Sequence, residues 1–277
     1  PLVAMRTTGS GPPLFLLPSL GGDIRCYDEL VQRISADRPV FAIRPRGLDD
    51  AVLPHQSMRE MAQDYAAAVH KQFPEGPYHL AGWSTAGIYA IAMAHALVEM
   101  GTEVASVALF DTPLPTVFSK IKVDDDAQFL CNIINVLNRW RRSDVHIEYD
   151  QLAALEPEQR FKMAVEEARK QGAVPEAAPE EYIRRIVQVG EANVRALQSY
   201  APTPLDGKAR VYLFVPHTKG ELSTVAGQEV NEDGDLGWGI EVGQELEVQE
   251  VPGDHFSMMF GEGAQRLASH LDEFTRK

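Results

Sequence analysis

The sequence predicts an α/β fold, with a mostly parallel central sheet flanked by helices and interrupted by one helical insertion. Three observations predict it. Short apolar runs alternate with amphipathic segments of helical period as far as Phe110. From about 113 to 200 helical patterns follow one another with no strand between them. Strand-like runs then return, at 208–216 and 246–251. Strands that alternate with helices need crossover connections, which make neighbours parallel and cover both faces of the sheet.

Each element follows from its own residues. The first dozen residues read as a linker, and with no initiator Met the chain is expected to be a piece of a longer polypeptide or a processed one. "PLFLLPS" (13–19) is a short apolar run closed by Pro and Gly, so a buried strand. "YDELVQRISA" (27–36) carries Leu30, Val31 and Ile34 at helical spacing, and "PVFAIR" (39–44) is the next strand. Ser57 followed by Glu60 is a capping-box pattern, which opens a helix over 57–73. "YHLAGW" (78–83) is a strand, a helix runs on through Met100, and "VASVALF" (104–110) is a strand again. In the insertion, "DDDAQFLCNIINVLNRWRR" places Phe129, Leu130, Ile133, Ile134, Leu137 and Trp140 on one helical face. Helical segments at 157–170 and 179–200 follow, then the strand "KARVYLFVP", a Gly-rich polar loop (218–245), the strand "LEVQEV" and a last helix near 262–275. The expected organisation is a core of 1–112 and 201–277 with a helical insertion of 113–200.

Composition narrows the function. A net charge of −14 leaves no basic surface for a nucleic-acid backbone. No apolar run reaches the roughly 20 residues that span a bilayer, and no signal peptide is evident. Cys26 and Cys131 match no metal-binding spacing, and two reduced thiols fit a cytoplasmic protein.

The chemistry centres on Ser84. It stands where the strand ending at Trp83 meets a helix, with Gly82 two before it, Ala86 two after and Gly87 next. A serine at a tight strand–turn–helix with small neighbours is the nucleophile elbow of α/β-hydrolases. The turn lifts Oγ above the sheet edge and sets the Thr85 N–H at a helix N-terminus, where it can stabilise an oxyanion. The plain alternative is an ordinary N-cap serine. A serine hydroxyl needs a base, and the base needs an acid to orient it. His255, in "VPGDHFSMM" after the last apolar strand, is the candidate base, since loop residues on a rigid scaffold concentrate function. Asp111, directly after "VALF", is a candidate acid at the strand end that carries sites in parallel sheets. Glu221 and Asp235 compete with it. In every case the chain order is Ser, acid, His. The loop "LPSLGG" (17–22) should supply a second oxyanion donor, with the Leu20 N–H as candidate. "LGGD" also looks like a phosphopantetheine attachment site, but Ile24 stands where the modified serine would be.

Several stretches together resemble the type I thioesterase domains that end polyketide synthases and nonribosomal peptide synthetases. They are "SGPPLFLLPSLGG", "RPVFAIRPRGLDD", "PEGPYHLAGWSTAG", "VALFDTPLP", "ALQSYAPTPLDGKARVYLFVP" and "VPGDHFSMM". The departures are Ala86 in the elbow and "PSLGG" where many members have His-Pro and a small residue. The resemblance implies an α/β-hydrolase fold and a catalytic triad of Ser84, Asp111 and His255, which favours Asp111 over Glu221. It implies release of an acyl, peptidyl or polyketide chain through a Ser acyl-enzyme, by hydrolysis or macrocyclisation. The substrate would arrive on the phosphopantetheine arm of an upstream carrier protein, with no bound cofactor and no metal. The insertion would be the family's lid, and its apolar face of Phe129, Ile133 and Leu137 either lines an acyl channel or packs against neighbouring helices. "DLGWG" (235–239) would bring Trp238 near the substrate. The basic cluster "NRWRR" (138–142) either docks an acidic carrier or complements a helix C-terminus. Some polyketide members carry two dimer-forming helices before the first strand, and without them a monomer is expected. The other readings are a stand-alone editing thioesterase, a general ester hydrolase, or an inactive scaffold that binds acyl chains or proteins.

Overall fold

Period-two alternation in the buried strands decides which side chains meet which face of the sheet. In the computed structural model, which describes residues 1–49, 52–140, 147–170, 172, 174–218, 234–242 and 246–274, strand β1 is Leu2–Arg6, β2 Leu14–Leu16, β3 Val40–Ile43 and β4 Tyr78–Trp83. β5 is Val104–Phe110, β6 Arg210–Pro216 and β7 Leu246–Val251. Among the described residues they form one seven-stranded sheet in the order β1-β3-β2-β4-β5-β6-β7. Every neighbour pair is parallel except β1 with β3.

Helices fill both faces. On one, Phe15, Leu80, Val107, Leu109 and Leu213 pack with α2 (Met58–Gln72) and α3 (Thr85–Glu99). On the other, Leu14, Leu16, Ala81, Ala108, Tyr212 and Phe214 meet α1 (Asp28–Arg33) and α9 (Gly261–Phe274). α3 is buried almost all round, as its run of Ala, Ile, Met and Leu requires. The capping box expected at Ser57 forms in part, its side chain accepting the Glu60 N–H.

The first residues are a strand and not a linker. β1 pairs antiparallel with β3 from Leu2 opposite Ile43. Arg6 anchors it, its guanidinium donating to the carbonyls of Val31, Ile34, Ser35 and Arg38. The Gly- and Pro-rich stretch behind β1 hid a five-residue edge strand.

Between β5 and β6 come a 3₁₀ turn (Pro115–Lys120) and four helices: α4 (Asp126–Trp140), α5 (Tyr149–Ala153), α6 (Pro157–Lys170) and α7 (Glu180–Gln198). α4, α5 and α6 share a separate cluster built on Leu130, Ile134, Leu152, Phe161 and Val165. α7 belongs to both bodies. Ile183 joins that cluster, while Val194, Ala196 and Leu197 enter the sheet's own core. A short helix, α8 (Trp238–Val242), occupies part of the stretch expected to be loop.

Candidate active site

Ser84 ends β4 with φ 57° and ψ −128°, a backbone region that costs an L-residue energy and is held only by its surroundings. Two glycines hold it. A Cβ on Gly82 would stand 2.2 Å from the Ala86 carbonyl carbon, so the helix can fold back over the strand only if residue 82 has none. A Cβ on Gly87 would meet Thr112 Oγ1 at 2.0 Å, so α3 lies directly on the segment after Asp111. Ala86 is fully buried in the core, and its extra methyl is accommodated there. Ser84 makes no side-chain capping hydrogen bond, which leaves the N-cap reading without its defining contact.

Register places the acid. Trp83 pairs with Phe110, and Phe110 with Phe214, so Ser84 and Asp111 leave adjacent strands at the same level. The Ser84 N–H donates to Phe110 O at 2.8 Å and the Asp111 N–H to Phe214 O at 2.8 Å. Asp111 also has positive φ, 43°, which Asp tolerates better than most residues. Its Oδ2 lies 2.6 Å from His255 Nδ1, with both side chains largely buried. An ionised carboxylate only accepts, so the shared proton sits on Nδ1 and leaves Nε2 as the basic nitrogen.

The loop beyond β7 presents the imidazole. Asp254 Oδ1 accepts the Phe256 and Ser257 N–H groups and the Ser257 hydroxyl, while Ser257 Oγ accepts the Asp254 N–H. Burial works to raise the Asp254 carboxyl, and these bonds outweigh it, so its pKa is lowered. Trp83 closes the arrangement. Its indole N–H donates to the His255 carbonyl at 2.8 Å, and its ring lies 4.9 Å from the imidazole at 35°. His255 is thus fixed against the residue that precedes Ser84. Among the described residues no hydrogen bond joins Ser84 Oγ to the imidazole.

The loop after β2 is tied to the same point. Tyr27, fully buried, donates from its hydroxyl to Leu17 O at 2.8 Å and accepts the Trp83 N–H at 3.0 Å. Burial pushes its phenol well above the usual range, so it stays protonated. The Gly22 N–H donates to Ser19 O, closing a turn around Leu20. Among the described residues the N–H groups of Leu20 and Thr85 have no acceptor. Asn193 of α7, 2% exposed, donates to Leu20 O at 2.7 Å.

The residues expected to line the substrate are placed as follows. Phe129 is 1% exposed and packs in the seam between α4 and Gly190 of α7. Trp238 is wholly buried, its indole N–H donating to Thr112 O at 2.8 Å; it braces the chain behind Asp111. Ile133 and Leu137 are half-buried on α4. Asp235, the rival acid, caps α8 by accepting the Gly237 and Gly239 N–H groups. Glu221 lies outside the described residues, as do Arg141, Arg142 and the side chains of 138–140 in the basic cluster. A cavity of about 580 Å³ beside Val123, Asp125 and Arg195 contains none of the site residues. Among the described residues no cluster of His, Cys, Asp or Glu could hold a metal, and no helix is long and apolar enough to cross a membrane.

Sequence reasoning missed Tyr27, Asn193 and the role of the Trp83 indole. Each acts across the fold, and no local pattern marks it. Asp254 with Ser257 three residues on is a local capping pattern that could have been read.

A parallel sheet with a strained serine between its fourth strand and the following helix is the α/β-hydrolase architecture. The thioesterase domain family matches residues 12–275, and the chain belongs to that family. A dimodular nonribosomal peptide synthase of Bacillus subtilis (strain 168) is 30% identical over 207 residues, which cover 74% of this chain and 8% of that protein. The inactive atromentin synthetase invA6 of Paxillus involutus is 31% identical over 163 residues, covering 59% of this chain and 17% of that one. Among solved structures, holo-AB3403, a four-domain nonribosomal peptide synthetase, superposes with a TM-score of 0.88 at 29% identity over 98% of this chain and 20% of that one. The chain therefore spans less than a third of the length of each of these relatives.

Proposed function

We propose that the chain is the releasing domain of a carrier-based synthetase and discharges an acyl or peptidyl thioester through a Ser84 acyl-enzyme. The observation that carries the reading is the 2.6 Å Asp111–His255 contact at the strand ends, beside a serine held at φ 57° with no capping bond. His255 Nε2 takes the Ser84 proton as Oγ attacks the thioester carbonyl. The oxyanion is received by the Thr85 and Leu20 N–H groups. His255 returns the proton to the departing phosphopantetheine thiol, and an ester to Ser84 remains. Water, or a hydroxyl or amine of the bound chain, then attacks with His255 again as base. Asp111 keeps the proton on Nδ1 and stabilises the imidazolium. In unliganded enzymes the nucleophile–base contact is often open and tightens only on substrate.

The helices between β5 and β6 serve as the lid that covers the acyl chain and limits water at the second step. An upstream carrier domain presents the substrate. The synthetase names of the relatives support this arrangement.

The test is labelling by a fluorophosphonate, read by mass spectrometry, with turnover of an acyl-pantetheine thioester. One adduct on Ser84 and loss of both signals in Ser84→Ala are expected. An unlabelled protein, or a Ser84→Ala variant that keeps turnover, overturns the reading. Equal preference for a simple soluble ester overturns the carrier assignment alone.

A further inference from the structure

The hydrogen bond from Asn193 to Leu20 O joins the helical insertion to the loop that faces the elbow. The two peptide groups that flank Leu20 are anchored separately. The Ser19–Leu20 peptide is held by the turn, through Gly22 N–H to Ser19 O at 2.8 Å. The Leu20–Gly21 peptide is held by Asn193 Nδ2 at 2.7 Å. The Leu20 N–H belongs to the first of these peptides: the turn bond, internal to the loop, sets its direction within the turn, and the Asn193 bond fixes where the turn lies. α7 touches the loop at a second point, since a Cβ on Gly21 would stand 2.8 Å from Ile186 Cγ2. Ile186 and Asn193 are two turns apart on one face of α7. An amide buried to 2% exposure in this way spends its donor on one loop carbonyl in a distant part of the sequence.

We propose that Asn193 is a positioning residue that aims the Leu20 N–H at the reaction centre, so that the oxyanion hole is complete only while α7 is docked. This rests on the acyl-enzyme reading above. Lifting α7 releases the turn from both Asn193 and Ile186, and the donor it carries loses its aim although Ser84, His255 and Asp111 stay in place. The insertion thereby switches the chemistry as well as covering the chain.

The experiment compares wild type with Asn193→Leu, which keeps the branched outline and the number of heavy atoms and removes the donor. Steady-state turnover of an acyl-pantetheine thioester is measured with the affinity for an alkylboronic acid, whose tetrahedral adduct on Ser84 puts an oxygen in the oxyanion hole. The expected result is a fall in kcat of about 10- to 100-fold, KM within about threefold, and weaker boronate binding by the same factor as kcat. A packing role alone would lower the melting temperature or the fraction of active sites without weakening the boronate in step with kcat. Unchanged kcat, or a change in KM with boronate affinity retained, overturns the proposal. Should Asn193→Leu fail to fold, Gly21→Ala displaces the same contact through Ile186 and is expected to show the same pattern; wild-type kcat and boronate affinity in that variant overturn the proposal equally. A wild-type protein that forms no adduct at Ser84 defeats the acyl-enzyme reading instead.

Discussion

The Trp83 indole holds His255 by its backbone, with Nε1 2.8 Å from the His255 carbonyl and the two rings 4.9 Å apart. The residue next to Ser84 therefore fixes His255. Trp83→Phe keeps an aromatic ring and loses the donor. It should lower kcat about 10- to 100-fold, as sub-ångström misplacement does, and cost about 2–3 kcal/mol of stability through the stranded His255 carbonyl and the lost ring volume. Kinetics on a thioester substrate beside a thermal melt check this; wild-type kcat would show that the indole contact is dispensable.

Asp111→Asn should leave the fold intact, because Asn accepts the left-handed backbone at φ 43° as readily as Asp. Its amide can present a donor to Nδ1 and so favour the wrong tautomer. A loss of about ten-thousand-fold in kcat is expected by analogy with the triad template. Single-turnover acylation measured by intact-protein mass spectrometry tests it, and near-normal acylation would remove Asp111 from the relay.

Tyr27→Phe deletes one hydroxyl that serves two backbone groups, Leu17 O and the Trp83 N–H. Stranding buried backbone in this way costs about 2–4 kcal/mol. Denaturant unfolding should report that loss, with a further drop in kcat as the loop and elbow separate. A midpoint shift equivalent to under about 0.5 kcal/mol would contradict the clip.

Gly87→Ala drives a methyl into Thr112, whose Oγ1, Cγ2 and Cβ all lie within 2.8 Å of the added carbon. Thr112 is fully buried and cannot rotate away into solvent. Overpacking of this kind costs about 1–3 kcal/mol, and here the strain is delivered next to Asp111, so both melting temperature and turnover should fall. A variant that melts and turns over like wild type would mean that the helix rides clear of the strand.

Burial holds the His79 pKa down to about 4, with Arg38 adding to the effect, and its Nδ1 pairs with Ser106 Oγ at 2.8 Å. The unfolded chain binds this proton nearer pH 6.5, so between pH 6.5 and 4 it holds more proton than the folded one. Stability is complete above that window and lost as pH falls through it, by about 3 kcal/mol from this group alone. His79→Gln should flatten the pH dependence of the unfolding midpoint in that range; an unchanged slope would assign it to other groups.

The elements that repeat locally were legible. The strands at 78–83, 104–110 and 246–251 and the helix at 157–170 appear at their expected bounds, because each run carries its own periodicity and punctuation. The tight turn at Ser84 was legible through its small residues, and the placement of Asp111 through the strand it follows. What stayed hidden depends on partners far away in sequence. β1 is a strand only because β3 and Arg6 give it an edge to join. The apolar face of α4 left channel lining and helix packing equally open, and only the structure shows Phe129 against Gly190 and the Trp238 indole on Thr112 O. A helical period shows that a face is apolar and leaves open what covers it.

β5 and β6 are hydrogen-bonded neighbours although all the helices from α4 to α7 intervene, with Phe110 set against Phe214. The sheet closes behind the excursion as though nothing had been added. That leaves α4 to α6, which share their own cluster, free to diverge, while the end of α7 stays bound to the platform through Val194, Ala196 and Leu197. The same helix also returns a side-chain amide to the carbonyl of Leu20.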